Sequence, residues 1–165
     1  MMMRTLTLRK SSNRLPRRAR GFTITETMLA IAVLAILVGL AAPGFREIIL
    51  SQAVKTASFD LFSNLVVARS EAITRNTRVT VTPSGGNWAN GWTITDSSGE
   101  VVGRQDPFKQ VLIAGPGSIT FNGAGRVTTG STTLSLMADG GKAPHNRCIE
   151  IDLGGRPASK KGACS

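Results

Sequence analysis

A long N-terminal helix, transmembrane in its first half and kinked near Pro43, packed against a C-terminal antiparallel β-sheet domain, is the α+β fold that this 165-residue sequence predicts. Three observations predict it. Apolar residues run from Met28 to Ala42 and stop at Pro43-Gly44. From Ala53 to Ala72, small and aliphatic residues recur at helical spacing. After Asn76, short β-rich runs alternate with turns rich in glycine and proline. Roughly 120 residues follow Pro43, enough for one domain with a modest core and hardly for two.

Residues 1–21 form a polar, basic leader. The formal charge of +10 invites a nucleic-acid reading of the whole chain, yet Arg4, Arg9, Lys10, Arg14, Arg17, Arg18 and Arg20 all lie before Gly21. Beyond the leader, 13 basic residues stand against 10 acidic ones, so the remainder is only about +3. A leader this basic fits holding the N-terminus in the cytoplasm while the rest crosses the membrane. An ordinary secretory signal peptide would share the basic segment, the apolar run and small residues near Gly39-Leu40-Ala41. Such signals seldom carry a Glu near the start of the apolar run, and they have no need of Gly-Phe at the polar boundary. Arg17-Arg18 does not open a twin-arginine signal, because Ala19, Arg20 and Gly21 stand where hydrophobic residues would follow.

That boundary is Gly21-Phe22-Thr23-Ile24-Thr25-Glu26. A carboxylate in a membrane segment costs several kcal/mol, roughly 2.5 to 3.5 for a central Asp, so one that stays needs a partner. The chain offers none nearby. Cleavage between Gly21 and Phe22 supplies one, by freeing an amino group that a neighbouring subunit's Glu26 can neutralise when helices pack side by side. In this the N-terminus resembles the type IV pilin class: Gly before the cut, Phe after it, Glu as the fifth mature residue, and Pro43 about twenty residues further on. The resemblance implies a prepilin peptidase that cuts after Gly21 and N-methylates Phe22.

The apolar stretch, 22–43, can span most of a bilayer at about 1.5 Å per residue. Pro43-Gly44 is expected to bend the helix, since proline removes an intrahelical hydrogen bond and glycine loosens the next turn. The helix then continues as an amphipathic element over 44–76. Ala53, Ala57, Leu61, Leu65, Ala68 and Ala72, joined by Val54 and Val66, form its apolar side. Lys55, Asp60, Asn64, Arg69, Glu71 and Arg75 form a solvated or subunit-facing side.

The β domain covers about 77–165. Strands are expected over 78–82, 92–95, 100–103, 110–114, 118–121, 126–129, 132–137 and 147–153. The glycine clusters between them are expected as hairpin turns, because none lies between a strand and a helix with a lysine placed for phosphate. Trp88 and Trp92 stand near a strand start, where packing over the edge of a core is favoured over anchoring a partner.

Two stretches narrow the resemblance. Ala68-Arg69-Ser70-Glu71-Ala72-Ile73-Thr74-Arg75-Asn76 with the following strand, and Ile119-Thr120-Phe121 with Gly125-Arg126, are similar to the GspH/FimT family of minor pilins and pseudopilins. That family implies a subunit present in few copies, non-enzymatic, incorporated into the pseudopilus of a type II secretion system or into a type IV pilus. It implies as partners the prepilin peptidase, major and other minor pilins or pseudopilins, an assembly ATPase, an inner-membrane platform and membrane lipid. The topology implied is a single pass through the bacterial inner membrane, with the C-terminal domain in the periplasm.

Cys148 and Cys164 both lie at the C-terminal end. In an exported domain they are expected to form a disulfide, closing a loop of about 17 residues and stabilising the fold by roughly 3 kcal/mol. The alternative function for this tail is DNA uptake, because some FimT-like members carry Gly-Arg-x-Arg near the C-terminus. Gly155-Arg156-Pro157-Ala158 matches in part, with Lys160 and Lys161 as candidate replacement charges. With no aromatic residue in the loop to stack on bases, such binding would be weak and sensitive to salt. The single histidine, His145, has no nucleophile assigned to it by spacing and is expected to be solvated. Two cysteines so far apart suit neither a Cys-x-x-Cys redox pair nor a structural zinc site. Neither catalysis, nor a metal, nor a cofactor is expected.

Overall fold

The computed structural model describes residues 21–128, 130–140 and 145–164, with the side chains of 41–43 outside the description. The basic leader before Gly21 and the kink expected at Pro43 therefore lie outside the described residues. One helix, α1, spans Ile24–Thr74. It begins at a cap, where Thr23 Oγ1 accepts from the Glu26 N–H at 3.2 Å and satisfies one of the donors left open in a first turn. The chain divides into two compact units at Leu40 and Ala41. In the first, every described residue of α1 is exposed, large apolar side chains included. By length and composition no single helix among the described residues is long and apolar enough to cross a membrane; Ile24–Leu40 and Gly44–Thr74 meet that test only together.

In the second unit, α1 buries one stripe: Leu50, Val54, Ala57, Leu61, Leu65, Ala68 and Ala72. Their separations of three and four residues are those of one helical face. Val66, expected on this stripe, is 42% exposed; it follows Leu65, and adjacent helix residues point about 100° apart. The helix ends by a backbone mechanism. Asn76 takes a positive φ of 47°, while the N–H groups of Thr77 and Asn76 donate to the carbonyls of Ala72 and Ile73, the paired closure that Asn can support.

Eight strands follow: β1 Val79–Pro83, β2 Trp92–Asp96, β3 Val101–Gln105, β4 Val111–Ala114, β5 Ile119–Phe121, β6 Thr132–Ala138, β7 Arg147–Ile151 and β8 Pro157–Lys161. They form two antiparallel four-stranded sheets, ordered β3-β2-β1-β5 and β4-β6-β7-β8. Alternation places Val79 and Val81 of β1, Ile94 of β2, Leu134 and Leu136 of β6, and Ile149 and Ile151 of β7 inward. With the α1 stripe they make one core. Trp88 and Trp92 are buried in it, 6.0 Å apart between ring centroids, and Trp88 Nε1 donates to the Pro116 carbonyl at 2.7 Å.

Three expectations need correction. The run expected at 126–129 forms no strand over its described residues, 126–128: Val127 makes a single bridge to Phe121, because the turn at Asn122, held by Asn122 Oδ1 accepting from the Ala124 and Arg126 N–H groups, consumes the preceding residues. Gly115-Pro116-Gly117 is no hairpin turn, since it carries the chain from β4 in one sheet to β5 in the other. Finally, β8 is a strand that the sequence pattern did not reveal. It pairs with β7 from Ile151↔Pro157 to Arg147↔Lys161. Its leading turn is close-packed: Gly155, at φ 75°, lies where an added Cβ would meet the Gly125 carbonyl oxygen at 2.0 Å, so this turn admits only glycine.

The open edges of the sheets are all short or irregular. Strand β5 has three residues and β4 four, β3 pairs with β2 through a register shift between Ile94 and Thr95, and β8 begins with Pro157 and ends with Lys160 and Lys161.

Candidate functional site

The residues expected to govern assembly stand at the start of α1. Phe22 is 79% exposed, and Gly21 and Glu26 are exposed as well. Thr23 holds the first turn by its side chain and by its carbonyl, which accepts from the Thr27 N–H at 3.1 Å. Glu26 contributes its backbone N–H to that cap. Its carboxylate has no ion-pair partner among the described residues. The spacing of Thr23 and Glu26 is that of a helix-starting box, a local signal carried by the sequence itself.

Cys148, buried on β7, is bonded to Cys164, just beyond β8. The three cations considered for DNA do not form one patch. Arg156 Nε contacts Asp152 Oδ2 at 3.0 Å and Lys160 Nζ contacts Glu150 Oε2 at 2.5 Å. Lys161, next along the strand, points to the opposite face of the sheet and lines a different groove, with Lys55, His145 and Arg147. Asp152 has its carboxyl pKa lowered, first by the Arg156 backbone N–H and then by the Arg156 side chain, against a desolvation that raises it.

His145 is not the solvated side chain expected. Its ring is about four-fifths buried, and Nε2 lies 2.9 Å from Glu47 Oε2 on α1. Arg69 is likewise not merely solvated, donating through Nε to the Gly125 carbonyl at 3.0 Å. Among the described residues no group of three or more His, Cys, Asp or Glu side chains is placed to hold a metal ion.

At the far end of α1, Arg75 joins the helix to the β2–β3 turn, contacting Glu71 at 2.8 Å, Asp96 at 3.1 Å and Glu100 at 3.0 Å. Asp96 also accepts from the Ser98 hydroxyl at 2.6 Å and from the Ser98 and Glu100 N–H groups. The Ser98 hydroxyl is the largest cause of a lowered Asp96 pKa; desolvation opposes it, and the backbone donors and Arg75 add to it. A carboxyl whose folded pKa is depressed contributes stability above its unfolded value, near 3.8, and loses that contribution as pH falls through the folded value. Asp96→Asn is therefore expected to lower stability at neutral pH and to flatten its fall in acid. Urea unfolding of the two proteins from neutral pH to below about pH 3 checks this, and parallel curves would refute it.

Comparison with known proteins bears on both parts of the chain. The family profile described as type II transport protein GspH matches residues 57–155. A second profile, described as the prokaryotic N-terminal methylation motif, matches residues 16–42. Among solved structures, the type IV minor pilin FimU of Pseudomonas aeruginosa is similar with a TM-score of 0.58 at 21% identity, over 65% of this chain and 87% of that one. The minor pseudopilin EpsH of the type 2 secretion system of Vibrio cholerae is similar with a TM-score of 0.53 at 14% identity, over 66% and 96% respectively. At such identities these likenesses show the fold alone. A comparison with curated protein sequences found no match.

Proposed function

This chain belongs to the GspH family of minor pilins and pseudopilins, and on that premise we propose that it is a processed minor subunit, built into the pseudopilus of a type II secretion system or into a type IV pilus. The family is one of structural filament subunits, and no catalytic role is assigned. The observation that carries the reading is the coincidence in one chain of the methylation motif over 16–42 and the family domain over 57–155. Prepilin peptidase cuts after Gly21 and methylates the new Phe22 amine. The segment 22–43 then holds the subunit in the inner membrane, with 44–165 outside it in the periplasm. An assembly platform draws the subunit into the filament beside major and other minor subunits, where Glu26 pairs with a neighbour's Phe22 amine.

Support comes from the exposed start of α1, where Glu26 is on a capped first turn and has no ion-pair partner among the described residues. The DNA-uptake alternative has less support, because Arg156 and Lys160 are each occupied by a carboxylate on their own hairpin. Two measurements test the proposal. Mass spectrometry of the mature chain from membranes is expected to show N-methylated Phe22 as first residue, and an intact leader would overturn the processing step. Deletion of the gene is expected to abolish exoprotein release or surface motility. Loss of transformation alone would favour DNA uptake, and no effect on any of the three would overturn the filament reading.

A further inference from the structure

Within the unit that begins at Ala41, a groove of about 540 Å³ lies between α1 and the strands β7 and β8. Phe59 and Phe62 line it from α1, with Lys55 beside them and Arg147 opposite, and no acidic residue lines it among the described residues. Neither Lys55 nor Arg147 takes part in an ion pair among the described residues. Phe59 is 69% exposed, an aromatic surface held in water that an apolar neighbour would cover. Two cations next to exposed rings suit a carboxylate carried beside an aliphatic side chain. The basic leader bears the groove's own sign and does not suit it.

That combination occurs in this chain, at the turn between β2 and β3. Glu71, Asp96 and Glu100 meet a single guanidinium there, that of Arg75, which leaves an excess of negative charge. Glu100 is the most exposed of the three, its side chain at 63% against 33% for Glu71 and 9% for Asp96. Val101, the next residue, is 51% exposed. Asp96 Oδ1 accepts from the N–H groups of Ser98 and Glu100, so the turn is ordered before any contact forms and docking costs little further ordering.

Phe59 and Arg75 stand sixteen residues apart on α1, about 24 Å along a helix. Groove and turn are therefore separate surfaces of one subunit. A contact between the groove of one copy and the turn of the next is head-to-tail, and such contacts extend a helical filament where the rotation does not close a ring.

We propose that the groove at Phe59 and Phe62 receives the β2–β3 turn of a second copy of this chain, with Val101 against the rings and Glu100 beside Lys55 and Arg147. The contact deepens the filament-subunit reading and rests on it. Its charges are partly exposed, so it weakens with salt.

The test places the photoreactive p-benzoylphenylalanine at position 59 of the full-length chain, in cells that also make an epitope-tagged second copy. After irradiation the cross-linked pair is quantified by immunoblot and mapped by mass spectrometry. A cross-link to residues 96–101 of the tagged copy is expected. Glu100→Lys in that copy is expected to reduce it roughly tenfold, by setting like charges face to face, and Asp106→Lys to leave it unchanged. Combining Lys55→Glu and Arg147→Glu in the probe-bearing copy with Glu100→Lys in the tagged one is expected to restore it. An intact disulfide verifies the fold of each variant. A cross-link to another filament subunit, to nucleic acid or to nothing overturns the proposal, as does one that maps outside residues 96–101 or is indifferent to Glu100→Lys. A leader left uncut overturns the filament reading together with this proposal; a processed chain that gives no such cross-link overturns this proposal alone.

Discussion

Replacing Glu26 with Ala is expected to leave membrane insertion intact and to reduce incorporation into filaments by roughly thirtyfold, the equivalent of about 2 kcal/mol of lost pairing. Two effects act in the same direction, away from the filament. Removing a carboxylate from an apolar segment favours the membrane-bound monomer, whereas in the assembled state it leaves a neighbour's Phe22 amine without a counter-charge in the same apolar surroundings. The second effect decides the outcome, because it acts only in the filament. Local helix damage is a small contributor: the Thr23 cap is made to the backbone N–H of residue 26, which Ala retains, and loss of a first-turn acid costs only about 0.3 to 1 kcal/mol. Co-immunoprecipitation with the major subunit, alongside carbonate extraction of membranes, separates the two. Normal co-assembly of the variant would sink the pairing role, and Glu26→Asp is expected to recover part of the loss.

Breaking the Cys148–Cys164 bond is the second large effect. The bond joins residues 16 apart in sequence, and loop-entropy reasoning gives it about 3 kcal/mol, or roughly 10 °C in Tm for a domain of this size. Cys164→Ser is the cleaner change, since Cys148 is 1% exposed and its thiol then remains as a small apolar side chain. Strand β8 has almost no core of its own, with four of its five residues exposed. Its register against β7 therefore depends on the bond, on the Lys160–Glu150 contact and on the 3.1 Å link between the Ser58 and Ser159 hydroxyls. Faster tryptic cleavage after Lys160 and Lys161 is expected in the variant. Unchanged cleavage and an unchanged melting curve would show that the strand holds by its backbone ladder alone.

What was legible in the sequence follows from periodicity. The α1 stripe from Val54 to Ala72 and the inward residues of β1, β2, β6 and β7 are strong repeats of apolar side chains, and solvent exclusion enforces them. Strand β8 lacked that signal: Pro157-Ala158-Ser159-Lys160-Lys161 has no β-branched or aromatic residue and buries almost nothing, so only its partner β7 makes it a strand. The split into two sheets was also illegible, since Gly115-Pro116-Gly117 is the same kind of turn signal whether the chain folds back on its neighbour or crosses to another layer. At the candidate site, Gly21, Phe22 and Glu26 were readable as a local motif. The Glu47–His145 contact spans 98 residues, and the separation of Lys160 from Lys161 onto two faces depends on β8, which carries no strand signal of its own.

The four sheet edges have a meaning for a protein whose purpose is to polymerise. An unpaired strand edge is itself a polymerisation surface, indifferent to sequence and hard to reverse. Here one edge is three residues long, one is four, one is thrown out of register, and one starts with proline and ends with two lysines. A subunit held beside other filament subunits thus presents them no long, regular strand edge to extend. Short and irregular edges that look like poor sheet construction therefore disfavour strand-to-strand growth.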